Sequence, residues 1–356
     1  MTILPSKTDY LAYLHGFRGV AILCIIAAHA WSVLGFVSGA QQNSPDYIWL
    51  YASSETLFHG STLFFALISG TLFTRILREK SWKTFYVGKF KNVISPYLFI
   101  CLLLTAISWP EYLAYGKANG INFFFPEELA KNIVSGQAQT HLWYIPVLFV
   151  LFLLTPLVNA LLKPGKGLAV ILLALMPLVV SRSTYPDLLS IKTILFFLGA
   201  YSFGMYLGER LESTLALIKR HLGVLLVLLV ASTAANFLLF FWEYVPTGFT
   251  SLHQSVVYAQ KMLMAMLLLY ALYKYQARLP NMLNVLGTYA FSLYFLHFSF
   301  IWALSEVFVK QFPDTGILGL FAAGLLIYVL SIALCLLLSI GLRKLLGKYS
   351  RMLIGT

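Results

Sequence analysis

The chain has 356 residues, of which 60% are hydrophobic and 11% are charged, and its mean hydropathy is +0.81. Soluble globular domains carry about 25% charged residues, so this composition excludes a soluble globular protein and indicates one that crosses a membrane several times. The formal net charge is +12, and the positions of the basic residues bear on how the chain is oriented in that membrane.

Ten apolar runs are long enough to be predicted as membrane-spanning helices. The fifth run is short and contains Pro177, so its crossing is expected to be tilted or irregular. We therefore predict an all-α integral membrane protein, a bundle of about ten transmembrane helices forming a single membrane-embedded domain of residues 1–356. The predicted spans are residues 10–37, 57–76, 92–109, 142–162, 168–180, 191–207, 221–242, 255–275, 286–308 and 317–342.

The basic residues are distributed unequally between the two sides of this predicted bundle. With a cytoplasmic N-terminus, the inner segments hold 18 of the 25 Lys and Arg residues and the outer segments hold five. Cytoplasmic segments are enriched in Lys and Arg, so both termini are predicted to be cytoplasmic. Topology and contact with anionic lipid headgroups account for most of the net charge without nucleic-acid binding, and a basic inner face also attracts an anionic cytosolic ligand.

The first span carries His15, Arg18 and His29 in an otherwise apolar run. Ionisable groups in hydrocarbon are costly, so they are expected to face the bundle interior or a watery cavity. Arg18 and His29 are eleven residues apart, which is almost three helical turns and places them on one face about 16 Å apart along the axis. Guanidinium suits bidentate binding of phosphate, and neutral imidazole is the usual general base.

Five short segments follow one another along the chain. They are Gly16-Phe17-Arg18-Gly19 followed by His29, the Phe-Phe-x3-Ser-Gly pattern of residues 64–70, Lys89-Phe90-Lys91 ahead of Pro96-Tyr97, His141-Leu142-Trp143-Tyr144-Ile145, and Ser292-Leu293-Tyr294-Phe295-Leu296-His297. In this order they resemble the membrane-bound acyltransferase-3 family. The family often has two arginines three residues apart before its third span, where this chain has Lys89 and Asn92.

The resemblance implies transfer of an acyl group, commonly acetyl, from a cytosolic coenzyme A thioester to a hydroxyl of a cell-envelope carbohydrate or glycolipid. In this interpretation His29 is the general base that takes the proton of the acceptor hydroxyl. His15 also suits a structural hydrogen bond. No cluster has the spacing of metal ligands, so acetyl-CoA or another short acyl-CoA is expected as co-substrate and no metal is expected. The candidate residues for binding acyl-CoA are Arg18, His15, Lys89 and Lys91.

Further polar and aromatic residues are candidates for binding the acceptor. An aromatic belt at the membrane surface is the alternative for those at the outer start of the fourth span. Lys261 either lines the cavity or pairs with an acidic residue such as Glu306, while His59 and His253, near predicted outer ends, are assigned to the membrane interface. The candidate acceptor-binding residues are His141, Trp143, Tyr144, Lys261 and His297.

Two other functions remain open. A glycan or lipid-linked sugar exporter would line its path with ionisable residues, but such folds often contain matched broken helices in two halves, and the sixth span has no counterpart of Arg18 and His29. A polytopic assembly partner without catalysis would tolerate substitution of His29. For the acyltransferase we expect a bacterial cytoplasmic membrane location, with acyl-CoA, a carbohydrate or glycolipid acceptor, membrane lipids and polysaccharide biosynthesis machinery as partners, and no nucleic acid.

Overall fold

A computed structural model describes residues 9–40, 44, 46–163, 167–184, 187–242 and 251–356. Throughout these residues the regular structure is helical, and no strand is present among them. Nine helical segments within the described residues, some of them made of two consecutive helices, are long and apolar enough to cross a membrane. The prediction of an all-α polytopic membrane protein is confirmed.

The helices follow one another with short connections. In the N-terminal half they are α1 (Asp9–Val37), α2 (Tyr47–Phe58), α3 (Thr62–Leu72), α4 (Trp82–Lys89), α5 (Ser95–Ile107), α6 (Trp109–Asn119), α7 (Phe125–Ser135) and α8 (Tyr144–Leu161). They continue with α9 (Gly167–Leu175), α10 (Ile191–Glu209), α11 (Leu211–Arg220), α12 (Leu222–Phe241), α13 (Leu252–Lys274), α14 (Asn281–Thr288), α15 (Ala290–Gln311), α16 (Ile317–Leu346) and α17 (Ser350–Ile354).

Helix α1 lies at the centre of the bundle, in contact with α2, α3, α13, α14, α15 and α16. Its approach to α14 is close, since a Cβ at Gly287 would overlap the backbone of His15. By contrast, only 6% of the residues in the apolar stretch of α12 are buried inside the protein, which places that helix on the outside of the bundle. The polar side chains of α1 therefore face other helices and the cavities between them. We call the end with most of the basic loops the inner end and the opposite end the outer end.

The second span is interrupted between α2 and α3. The helix ends at Phe58, His59 has an extended backbone conformation, and Gly60 has a φ of +77°. A left-handed conformation of this kind is accessible to glycine because it has no Cβ. The interruption turns the chain inside a 31-residue apolar segment, and irregular backbone inside a membrane protein occurs where it lines a cavity or is buried in protein.

The fifth predicted span is short and irregular in the structure, as its length and Pro177 indicate. Helix α9 and the 3-10 turn Met176–Leu178 together form a short apolar segment, Gly167–Leu178, about 18 Å long against a hydrocarbon core of about 30 Å. The chain then continues without helix to Arg182, which lies over Trp143 at the start of α8. Helix α9 and the non-helical segment that follows it therefore connect the two ends of the bundle. The later helices consequently cross in the alternating directions that the ten predicted spans require.

Helices α3 and α10 run parallel and pack with almost no side chain between them. A Cβ at Gly70 would overlap the backbone of Tyr201, and a Cβ at Gly204 would overlap the backbone of Leu67. The Thr71 hydroxyl donates a 3.0 Å hydrogen bond to the carbonyl of Gly204. Small residues allow such close approach of membrane helices, so the Ser-Gly end of the Phe-Phe-x3-Ser-Gly pattern is a packing site.

The close contact of α3 with α10 predicts that Gly204→Ala destabilises the protein. The added methyl group meets the backbone of Leu67, and overpacking of this kind typically costs about 1–3 kcal/mol. The measurement is the melting temperature of the purified protein in detergent. Gly223→Ala is the matched control, because no atom within 4 Å would meet a Cβ at that position in α12. Equal melting temperatures for the two variants would contradict the proposed close packing.

Candidate active site

An outer cavity of about 210 Å³ opens beside the middle of α1. Its walls come from α1, the break between α2 and α3, the segment before α8, the extended segment after α9, and α15. Segments far apart in the sequence therefore meet around one space. The polar and aromatic side chains that matter below are His29, Glu55, His59, His141, Trp143 and Arg182.

Three histidines from different segments cluster at this cavity. The ring centroids are 5.3 Å apart for His29 and His297, 6.2 Å for His29 and His141, and 4.8 Å for His141 and His297. His141 and His297 are buried, whereas His29 is half-buried and lines the cavity. The structure thus brings together three of the residues singled out in the sequence, and His29 is the most accessible of them.

The hydrogen bonds of His297 determine which ring nitrogen carries the proton in its neutral form. Its Nδ1 lies 2.9 Å from the carbonyl oxygens of both Leu293 and Tyr294. Carbonyl oxygens only accept hydrogen bonds, so Nδ1 is the donor and Nε2 is left as an acceptor. Within the described residues Nε2 has no hydrogen-bond partner. His297 therefore offers the cluster a base nitrogen of defined tautomer.

His141 lies just before α8, and its backbone carbonyl accepts a hydrogen bond from the Tyr294 hydroxyl. Burial lowers the pKa of His141 well below the ordinary value, and the neighbouring His297 and His29 lower it further. A histidine with a lowered pKa is neutral at pH 7.

The described part of the chain contains no group of three or more His, Cys, Asp or Glu residues that could hold a metal ion.

A hydrogen-bonded chain of Arg182, His59 and Glu55 forms another wall of the cavity. Nη2 of Arg182 lies 2.5 Å from Nε2 of His59, and Nδ1 of His59 lies 3.0 Å from a carboxylate oxygen of Glu55. The sequence assigned His59 to the membrane interface, whereas the structure places it at the cavity. The reason is the interruption of the second span, for which Gly60 directly after His59 was the available signal.

Lys261 is fully buried and bonds to the end of α2. Its ammonium group donates hydrogen bonds to the carbonyls of Thr56 at 3.2 Å and Leu57 at 2.8 Å. Gln260 donates a second hydrogen bond, of 3.1 Å, to Thr56. A helix end leaves its last carbonyls without intrahelical partners. Lys261 and Gln260 supply hydrogen-bond donors to these carbonyls where α2 stops inside the bundle.

The structure places Lys261 in a different role from the two considered in the sequence. It is absent from the described lining of the outer cavity. Glu306 instead accepts a 2.8 Å hydrogen bond from Trp302 and lies 4.0 Å from Lys310. Tyr144 is buried against Trp143 and Phe197 and also lies outside the cavity lining.

An inner cavity of about 300 Å³ lies at the other end of α1. Four basic side chains line it, and none of its described lining residues is acidic. Arg18 also lies over the ring of Phe291, 5.6 Å from the centroid. His15 and Lys91 do not line this cavity, and Lys91 is exposed. The four basic residues are Arg18, Lys89, Arg343 and Arg351.

Arg343 and Arg351 were missed as candidates by the sequence analysis. They follow the last apolar run, where basic residues are expected from topology alone. The structure brings them to Arg18 because the end of α16 and the short helix α17 pack near the start of the third span, with Ser95 donating a 2.8 Å hydrogen bond to the carbonyl of Met352. Only this packing distinguishes them from the other basic residues of the inner loops.

A family profile described as an acyltransferase domain matches residues 11–340. The chain belongs to the acyltransferase-3 family. The match covers nearly the whole chain, including α1 with Arg18 and His29 and α15 with His297, and it confirms the resemblance inferred from the sequence. No curated protein and no solved structure matched the chain. This acyltransferase-3 protein is therefore a multi-pass membrane acyltransferase.

The hydrogen bonds of Lys261 predict that Lys261→Met destabilises the protein. Methionine fills the space but donates no hydrogen bond. Thr56 keeps the hydrogen bond from Gln260, whereas the carbonyl of Leu57 loses the donor Lys261, and leaving a carbonyl inside the bundle without a donor costs about 1–3 kcal/mol. The measurement is again the melting temperature in detergent. Lys274→Met removes an exposed lysine from the end of the same helix and is expected to leave the melting temperature unchanged. A Lys261→Met protein as stable as the wild type would exclude the capping role.

Proposed function

We propose that this membrane acyltransferase transfers an acetyl or other short acyl group from cytosolic acyl-CoA to a hydroxyl of an envelope carbohydrate or glycolipid. The observation that supports it is the arrangement of α1, which presents Arg18 to a basic inner cavity and His29 to a polar outer cavity. A donor bound from one side and an acceptor from the other would meet along this helix. The membrane in this proposal is the bacterial cytoplasmic membrane, with the N-terminus inside.

The inner cavity suits the nucleotide end of the donor. Coenzyme A carries several phosphate groups, and four basic side chains surround the cavity without a described acidic residue among them. Guanidinium groups bind phosphate through paired N–H donors, and three of the four side chains are arginines. The phosphopantetheine arm would then extend along α1 over the roughly 16 Å that separate Arg18 from His29 along the helix axis.

His29 would act as the general base in the outer cavity. The acceptor oxygen attacks the thioester carbonyl carbon while His29 takes the hydroxyl proton, the carbon–sulfur bond breaks, and His29 returns the proton to the departing thiolate. His297, whose ring centroid is 5.3 Å away, presents a nitrogen that accepts hydrogen bonds. Such an acceptor would stabilise the protonated form of His29 that exists during the transfer.

The separation of roles along α1 predicts different defects for its two variants. His29→Gln should retain donor binding and lower transfer about 10²–10⁴-fold, the usual contribution of a general base. Arg18→Gln should weaken acyl-CoA binding about 10–100-fold, because hydrogen bonds to charged groups contribute about 1.5–3 kcal/mol. The measurements are incorporation of labelled acetyl from acetyl-CoA in inverted membrane vesicles and the affinity of the purified protein for acetyl-CoA.

Lys91→Gln is the control for charge, since Lys91 is exposed and lies outside the lining of the inner cavity. The Lys91→Gln substitution should change neither the rate of acetyl transfer nor the affinity for acetyl-CoA. Label that persists in well-expressed His29→Gln would remove His29 from the proposed role. Equal donor affinity of the Arg18→Gln and wild-type proteins would remove Arg18 from the donor site. If wild-type vesicles transfer no acetyl group, other short acyl-CoA donors are tested in the same assay.

A further inference from the structure

The outer cavity differs from the inner cavity in its balance of charge. Among its described lining residues, Arg182 is the single Lys or Arg and Glu55 is the single acidic residue. The inner cavity has four basic residues and no acidic one among those described. We propose that Glu55 and Arg182 determine acceptor specificity and select a sugar without net charge around the accepting hydroxyl. This inference rests on the proposed acyl transfer and names the class of its acceptor.

His59 connects the two charges. Arg182 donates to Nε2 of His59, so the proton of the neutral ring is on Nδ1, which donates to Glu55. The chain therefore runs from a cation through a neutral ring to an anion, and each charge is compensated within the wall of the cavity. The bond to His59 uses one of the five N–H donors of the guanidinium, which leaves donors for the oxygen atoms of a sugar.

The backbone around Arg182 holds this side chain in place. Its N–H donates a 2.7 Å hydrogen bond to the side-chain oxygen of Gln254, and the N–H of Ser183 donates a 3.0 Å bond to the hydroxyl of Thr193. The guanidinium carbon lies 5.7 Å from the ring centroid of Trp143. Both sides of the extended segment are thus attached to helices, and the position of the cation does not depend on a ligand.

Two other titratable groups act on the pair of Glu55 and Arg182 from outside the lining of the outer cavity. Lys261 is a further cation that interacts with Glu55, and its ammonium group is bonded to the last carbonyls of α2, the negative end of the helix dipole. His253 bonds to the side-chain oxygen of Asn236, and both line a neighbouring cavity that Glu55, His59 and Arg182 also border. A carboxylate or phosphate on the acceptor would meet Glu55 next to Arg182, and like charges in contact disfavour binding.

Hydroxyl groups carry no charge and are not repelled by either Glu55 or Arg182. A sugar hydroxyl both donates and accepts hydrogen bonds, so it can bind a carboxylate oxygen and a guanidinium N–H at once. His29 and His141 line the same space and add ring nitrogens without adding charge in their neutral form. An uncharged sugar ring with several hydroxyl groups can therefore form hydrogen bonds with both Glu55 and Arg182. A charged ring would instead be repelled by whichever of the two side chains has the same sign of charge.

The experiment compares matched pairs of acceptors. The probes are 4-nitrophenyl glycosides of glucose and galactose and the corresponding glycosiduronic acids, tested for labelled acetyl transfer and for binding to the purified protein by tryptophan fluorescence. For the wild type we expect transfer and binding to favour the uncharged glycoside about 10-fold or more. For Glu55→Gln, which keeps an acceptor atom for His59 but loses the charge, the preference should shift at least about 10-fold toward the uronic acid.

Glu306→Gln is the control, because it removes another carboxylate near the outer end of α15, outside the cavity lining, and should leave the preference unchanged. Arg182→Gln is the second variant, and it should lower binding of uncharged and anionic acceptors together while acetyl-CoA affinity stays intact. Melting temperatures establish that each variant is folded.

Two results would overturn the inference: a wild-type preference for the uronic acids, which would make Arg182 an anion-binding residue, or an unchanged preference in folded Glu55→Gln. The binding arm separates this inference from the proposed function. Selective binding of uncharged glycosides without acetyl transfer from any acyl-CoA would contradict the proposed transfer and leave the specificity of the cavity supported. Transfer without the expected preference would contradict the specificity alone.

Discussion

The carbonyl groups at the end of α2 must find hydrogen-bond donors inside the bundle, and much of the outer cavity depends on this requirement. Lys261 and Gln260 of α13 donate to them, so the second span can stop and restart without leaving polar backbone unsatisfied. The interruption turns Glu55 and His59 toward a cavity. Burying a lysine in hydrocarbon is costly, and here the hydrogen bonds from Lys261 to the last carbonyls of α2 offset that cost.

The two cavities flank one central helix and differ in charge. Helix α1 contributes Arg18 to the inner cavity and His29 to the outer one, because their spacing of eleven residues places them on one face at different depths. The inner cavity concentrates positive charge, whereas the outer cavity pairs one cation with one anion through His59. The reaction proposed above would bring a polyanionic donor and a different acceptor together, which requires two such environments close to each other, and the shared helix holds the two cavities in a defined relation.

The helical spans were largely predictable because a long apolar run is a local property of the chain, as the match of residues 317–342 with α16 illustrates. The irregularity of the fifth span was also predictable from Pro177, whereas the packing of this proline against Gly199 of α10 and the course of the chain to Arg182 were not. His29 and Arg18 were recognisable as ionisable groups in hydrocarbon. Glu55, His59 and Arg182 lie at the edges of apolar runs, where polar residues are ordinary, and the one local signal was Gly60 beside His59, which indicates a turn but not which side chains it brings to a cavity.

By itself, the sequence determined the class of protein, the approximate positions of its helices, the ionisable residues within the first span and the resemblance to the acyltransferase-3 family, because hydropathy, charge and motif order belong to continuous segments. The tertiary structure alone decided which side chains share a cavity. That outcome depends on the break at Gly60, on the close packing of α3 against α10, and on the capping of α2 by Lys261. Each of these is a contact or a turn whose consequences reach residues far apart in the chain.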